Sequence, residues 1–328
     1  MKKKRSKITQ FSRKKKTVSV NGSSVIEFLH NQEKFLTDCK RLGTALNYRR
    51  VAHSLALFLG GKNLYFAEMT SQFIEQYGDY LMQKGLVRNS LSFHMRILRA
   101  VYNKAVRCGY TKQSFPFRNI YTGIDHTRKR AVSRDVITRL IHLDIVGNSS
   151  LCFARDLFLF SFYTRGMAFV DMAYLQKTDI QNDIICYNRH KTGQQLSIKV
   201  EPCIKNIIDR YLTKNRYTRY VFPIINSEEP EVSFRQYKSE LRIYNYRLKT
   251  ISQMLGLEYN LSSYTPRHSW ATMAQNNNVP VSVISASMGH TSERTTRIYL
   301  ASFDNAVIDK ANRGILESIT KSLSKCSL

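Results

Sequence analysis

From residue 23 to residue 109 the apolar residues return at helical spacing, and glycines stand where the series stop. That pattern allows little besides short amphipathic helices packed on one another. Ser24 followed by Glu27 has the spacing of a capping box ahead of the first series. The stretch GTALNYRRVAHSLALFLGG predicts a second helix, stopped by Gly60 and Gly61. A third is expected from about Thr70 to Gly85, with Ile74, Tyr77 and Leu81 on one face. The fourth, over 88–108, carries the stripe Leu91, Met95, Leu98, Tyr102 and Ala105 and is ended by Gly109. Together these helices predict a small bundle over 23–110.

The next stretch, TKQSFPFRNIYTGIDHTRKR, lacks periodicity, carries a proline and a glycine, and ends in a basic cluster. A connecting segment is expected over 111–131, either a plain surface linker or an extended run laid along a polyanion. A second domain follows over 132–328. Ser133 can cap a helix through about residue 144, and another is expected over about 150–164. DIICYN and QLSIKV alternate apolar and polar residues around RHKTGQ, which predicts a β-hairpin with a basic tip. Helices resume from 202, interrupted by VFPII near 221. The fold class is therefore mainly α, with a small sheet in the second half.

Charge narrows the partners. The chain has 328 residues, 43% of them hydrophobic, so it can bury a core. It holds 51 Lys plus Arg against 24 Asp plus Glu, a formal charge of +27. A globular chain this basic points first to nucleic acid, then to an anionic membrane surface or a ribosome. No run of about 18 apolar residues is present, so no spanning helix is expected. The start, MKKKRSKITQFSRKKK, is basic but no apolar signal core follows it, which favours a cytoplasmic chain. Residues 1–22 read as a basic tail, a solvated end or a phosphate-binding arm. Cys39, Cys108, Cys152, Cys186, Cys203 and Cys326 are scattered singly, so neither a zinc site nor a disulfide frame is expected.

Four stretches carry residues fit for chemistry. In SSYTPRHSWATMA, Pro266 suits the first turn of a helix, which puts Arg267 and His268 at its start. A guanidinium there matches two phosphate oxygens at once, beside backbone N–H groups that already favour an anion. Ala271, Met273 and Ala274 are expected to pack inward. The same region also reads as two helices around a turn at Asn278–Pro280, a helix-turn-helix that binds DNA without cutting it. In SFYTRGMAFVDMAYL, Arg165 and Asp171 are charges in an apolar helical neighbourhood, where a structural salt bridge is the ordinary explanation. In RHKTG, Lys191 lies on a tight turn, as solvated lysines often do. In MGHTSERTTRIYL, His290 follows a glycine and Tyr299 comes nine residues later.

Taken in order, this set of Arg, Lys, Arg-His, Gly-His and Tyr resembles the catalytic domain of the tyrosine recombinases, the phage-integrase family, over about 130–310. The preceding bundle resembles the family's SAM-like core DNA-binding domain. The resemblance implies that Tyr299 attacks a scissile DNA phosphate, giving a 3′-phosphotyrosine and a free 5′-hydroxyl. Arg165 and Arg267 would hold the non-bridging oxygens, Lys191 would protonate the leaving oxygen, and His290 would bond the phosphate and orient the site. Tyr264, His268 and Asp171 would support them. No cofactor is implied, because the bond energy is conserved in the protein–DNA link. The implied partners are duplex DNA with inverted half-sites, a homodimer that becomes a homotetramer, and in some relatives a DNA-bending protein. The implied location is the bacterial cytoplasm, on the nucleoid.

Two departures stand out. The family's first arginine usually follows the glycine, in a pattern like G-[LM]-R-x-x-E; here Gly166 and Met167 are followed by Ala168, and Arg165 precedes the glycine. A displacement of three residues is about one helical turn, which would let Arg165 reach the same phosphate. Tyr264 stands where the family usually has His or Lys, and a phenol can donate a hydrogen bond but cannot replace imidazole near neutral pH. The segment NAVIDKANRGILESITKSLS is amphipathic and is expected to dock on a neighbouring protomer or cap its own core. No separate arm-binding domain is evident ahead of residue 23. The rival reading is a catalytically inactive, sequence-specific DNA-binding regulator on the same scaffold, which would form no covalent adduct. Integrase and invertase are not separated by these residues.

Overall fold

A computed structural model describes residues 24–125, 131–213, 215–298, 300, 312–313 and 316. The basic tail, the run 126–130, Tyr299 and most of the amphipathic C-terminal segment lie outside the described residues. The chain divides into two units, residues 1–125 and 126–328.

The first unit holds α1 (Val25–Asp38), α2 (Leu42–Leu59), α3 (Ser71–Gln83) and α4 (Arg88–Arg107). Ser24 caps α1, its hydroxyl accepting the Glu27 N–H at 3.2 Å, and Thr70 caps α3 in the same way through Phe73 at 3.2 Å. Gly60 ends α2 in the left-handed conformation, φ 58°, at little steric cost. The α4 stripe of Leu91, Met95, Leu98, Tyr102 and Ala105 is buried in the core of the bundle, against Val51 and Leu55 of α2 and Ile74 and Tyr77 of α3.

Residues 111–125, expected as part of a connecting segment, instead pack on this bundle. Phe117 is buried in its core and Ile120 rests against it. The Tyr102 hydroxyl donates to the Lys112 carbonyl at 2.9 Å, and the Ser92 hydroxyl donates to Gly123 at 2.5 Å. Asn89 both donates to the Asp125 carbonyl and accepts its N–H, at 3.1 and 2.8 Å. The segment is held by single side chains and backbone bonds, which leave no periodic trace in sequence.

The second unit contains α5 (Arg134–Ile141), α6 (Ser149–Tyr163), α7 (Phe169–Tyr174), β1 (Ile180–Gln181), β2 (Ile184–Asn188), β3 (Gln195–Lys199), α8 (Pro202–Leu212), α9 (Pro230–Met254), α10 (Thr265–Asn276), α11 (Val281–Ser287) and α12 (Glu293–Arg297). Helix α6 contacts α5, α8, α9 and α10. Its run from Leu157 to Ser161 is buried without a break, as expected of a helix enclosed on all sides. Its one buried carboxylate, Asp156, accepts from Arg155, from Arg210 at 2.5 Å and from the Tyr211 hydroxyl at 2.9 Å, so the charge is paired.

The strands form an antiparallel sheet in the order β1-β2-β3. Ile185 opposes Ile198 and Tyr187 opposes Leu196, all turned to the core side, while Cys186 and Ser197 pair on the other face. VFPII does not form a strand. Val221 and Phe222 are fully buried, but only Tyr220 bridges to Gln176 and only Val221 is tied in, through its N–H to Leu175 at 2.9 Å. Pro223 lacks the N–H that a strand would need next. No helix among the described residues is long and apolar enough to cross a membrane.

Candidate active site

The site begins where α6 ends. Thr164 donates its hydroxyl to the Phe160 carbonyl at 2.6 Å, and Arg165 turns the chain with a φ of 59°. Gly166 follows at φ 76° and donates its N–H to Ser161 at 2.7 Å. A Cβ on Gly166 would lie 2.8 Å from both Cα and Cγ of Arg267, so glycine is required here for conformation and for space. Arg165 is therefore not in a helix, as expected from the apolar run, but in a left-handed turn. Arg165 and Ala168 are not one helical turn apart, because Ala168 is the extended N-cap of α7. The Arg165 guanidinium is partly exposed and donates to the Ser197 carbonyl of β3 at 3.4 Å.

Arg267 sits in the first turn of α10, behind Pro266, and is 3% exposed. One Nη donates to the Gly166 carbonyl at 2.5 Å; the other donates to Met288 at 2.6 Å and to Nε2 of His290 at 3.0 Å. Arginine has no acceptor, so Nε2 of His290 accepts and the ring proton belongs on Nδ1, where it donates to the Thr296 hydroxyl at 2.8 Å. Burial, with the charges of Arg267, Arg189 and Lys191, pushes the His290 pKa down to about 3. The imidazole is neutral at physiological pH.

The hairpin supplies the third side. Lys191 is exposed at its tip, and its charge is one of those felt by His290. Asp171, buried on α7, accepts the His190 N–H at 2.8 Å. Burial raises its pKa, against the opposing pull of that N–H and of Arg189 and Arg267. Tyr187 projects from β2 into the same field, with Asp171, Arg267, Arg189 and Arg165 all acting on its phenol. Cationic groups thus converge from a turn, a hairpin and a helix start upon one place. Such a place suits an anion with several oxygens.

Residues 24–120 match the phage integrase SAM-like domain, and residues 132–306 match the phage integrase family. The chain belongs to the phage integrase family. Tyrosine recombinase XerC of Rickettsia bellii (strain OSU 85-389) is 25% identical over 173 residues, 52% of this chain and 55% of the relative. The match therefore spans about half the length of that relative. A lambda integrase dimer bound to a COC′ core site has a TM-score of 0.62 at 14% identity, covering 86% of this chain and 78% of that one. A lambda integrase tetramer bound to a Holliday junction gives 0.63 at 15%, covering 87% and 80%. The Tn1549 transposon integrase in complex with a circular intermediate DNA gives 0.65 at 14%, covering 89% and 99%. These likenesses are of fold: a SAM-like helical domain followed by the integrase catalytic fold, mostly helical with a small sheet.

In this integrase-family chain, Arg165, Asp171, Arg267 and His290 surround one region, with Lys191 at its edge. Tyr264 is the exposed N-cap of α10, its ring 6.4 Å from that of the partly buried His268. Tyr299 follows α12 but lies outside the described residues. Sequence reasoning missed Arg189, 5% exposed, whose Nη1 donates to the Gly289 carbonyl at 2.5 Å. Its one signal was its place in RHKTG, next to Lys191, where it read as part of a solvated basic tip. The two helices expected around a turn at Asn278–Pro280 are present as α10 and α11, with Asn278 at φ 60°; α11 is short, and the chain turns again at Gly289, φ 63°, before α12.

Proposed function

We propose that the chain is a site-specific DNA recombinase that cuts and rejoins duplex DNA through a 3′-phosphotyrosine intermediate. One observation carries the reading: a buried arginine, Arg267, bonded to a neutral histidine, His290, in a site walled by further cations, within a family-matched domain. Arg267 holds the non-bridging oxygens as charge builds on phosphorus. His290 holds Arg267 in place through Nε2 and borders the phosphate. Tyr299 supplies the attacking oxygen. Its O–P bond forms as the bond to the 5′-oxygen breaks, and Lys191 protonates that oxygen. In sum, the phenol proton ends on the 5′-hydroxyl, and reversal by another strand's 5′-hydroxyl completes exchange without ATP. Arg165 reaches the phosphate from its turn, by an approach other than that of an arginine in a helix. Asp171 holds the hairpin, and Tyr264 and His268 border the start of α10.

The domains proposed are 23–125 for core DNA binding, with 111–125 packed on the bundle, 126–131 as connection and 132–328 for catalysis. The partners proposed are DNA with inverted half-sites and further copies of the chain; the similar lambda integrase forms a dimer on a COC′ core site and a tetramer on a Holliday junction. The test uses a nicked duplex built on inverted repeats flanking the gene, so that cleavage is trapped. A denaturation-resistant protein–DNA adduct is expected with wild type and not with Tyr299→Phe. Specific, salt-sensitive binding without an adduct in either would identify a non-catalytic DNA reader.

A further inference from the structure

A general acid works only within about 2.6–3.2 Å of the atom it protonates. Lys191, exposed on a hairpin tip, needs that tip to be held. Arg189, two residues before it, is almost fully buried, which is rare for arginine. Its backbone shapes the tip: the carbonyl accepts the Gly193 N–H at 2.7 Å and the N–H donates to Gln194 at 2.8 Å. Its side chain leaves the hairpin and donates to the Gly289 carbonyl at 2.5 Å, the residue before His290. Gly289 is shaped to receive it, since a Cβ there would lie 3.0 Å from Cδ of Arg189 and 3.0 Å from Cδ1 of Leu196. His190, between Arg189 and Lys191, is tied as well. The His190 N–H bonds Asp171, and its ring stacks on Tyr174 at 5.2 Å. The two residues that precede Lys191 are thus bound, one to the His290 turn and the other to α7.

We propose that Arg189 is a positioning residue that locks the Lys191 hairpin to the Gly289–His290 turn, so that proton donor and phosphate-holding pair meet the DNA as one unit. This rests on the recombinase reading. An unlocked tip moves Lys191 away from the 5′-oxygen while Arg267 keeps its own bonds to Gly166 and Met288. Loss of Arg189 therefore injures leaving-group protonation above all.

The test measures adduct formation by the full chain on two nicked duplexes built on the same inverted repeats. One has an ordinary scissile phosphodiester. In the other the 5′-bridging oxygen is sulfur, which departs as a thiolate and needs no proton, thiols having a pKa of about 8.5. Arg189→Met is expected to slow the oxygen substrate about a hundredfold, the cost of a misplacement on the order of 1 Å. On the sulfur substrate it is expected to stay within about threefold of wild type, the same split as Lys191→Ala. Arg189→Lys, which keeps a donor and a charge, should recover part of the loss. Arg189→Met at wild-type rate on oxygen, or slowed equally on both substrates, overturns the proposal. Should Arg189→Met fail to fold by circular dichroism, Arg189→Lys decides: the split supports the lock, and equal slowing overturns it. Wild type without adduct on either duplex removes the recombinase reading and the lock with it. A wild-type adduct with an unimpaired Arg189→Met removes the lock alone.

Discussion

His290 shows how much a single residue takes from its surroundings. In an unfolded chain its pKa is near 6.5, whereas burial and the neighbouring cations push it down to about 3 here. Between these values the unfolded chain binds a proton that the folded chain does not. Stability therefore rises with pH up to about 6.5 and is lost as pH falls toward 3. Thermal melts from pH 7 to pH 5 should show a steeper fall in Tm for wild type than for His290→Gln. The difference between the two slopes isolates this residue from His94, also depressed by burial, and from Asp171, whose raised pKa acts in the opposite sense. Equal slopes would mean that His290 is not held neutral. The Gly-His pair was visible in the sequence, but its reason was not. The glycine's empty side is filled by Arg189 and Leu196, more than ninety positions away in the chain.

Among the elements, α4 was the most legible. Its stripe has one period, one face and a glycine just past its end, and burial follows that stripe. Leu98 is fully buried in it, so Leu98→Ala should cost about 2–5 kcal/mol in chemical denaturation. Leu57 of α2, 61% exposed, is the contrast, and Leu57→Ala should stay within about 0.5 kcal/mol of wild type. Equal effects would contradict the assigned faces. Short elements were harder to read. Helix α7 has six residues and α12 has five, too few for periodicity to declare itself. The helix end near residue 164 was readable, but the left-handed turn at Arg165 that brings the Gly166 carbonyl to Arg267 was not. VFPII is apolar throughout, but the pairing that Tyr220 begins with Gln176 continues only to Val221, and Pro223 has no N–H to extend it.

At the scale of the whole molecule the formal charge of +27 governs association. If six to ten of these charges meet phosphates, raising salt from 50 to 200 mM should weaken duplex binding by about 10³–10⁵-fold, because binding releases condensed counterions. Fluorescence anisotropy across that range checks it, and a flat salt response would argue against nucleic acid as the partner. Charge, helical period and the order of chemical side chains are properties of the chain as written, and they were enough to indicate a basic, mainly helical protein resembling the tyrosine recombinases. Three matters belonged to the tertiary structure: the turn that holds Arg165, the neutral state of His290, and the bond from Arg189 to Gly289. Each arises where backbone carbonyls and charges from distant segments meet out of water. Local sequence records which residues are available there, and only packing determines what surrounds them.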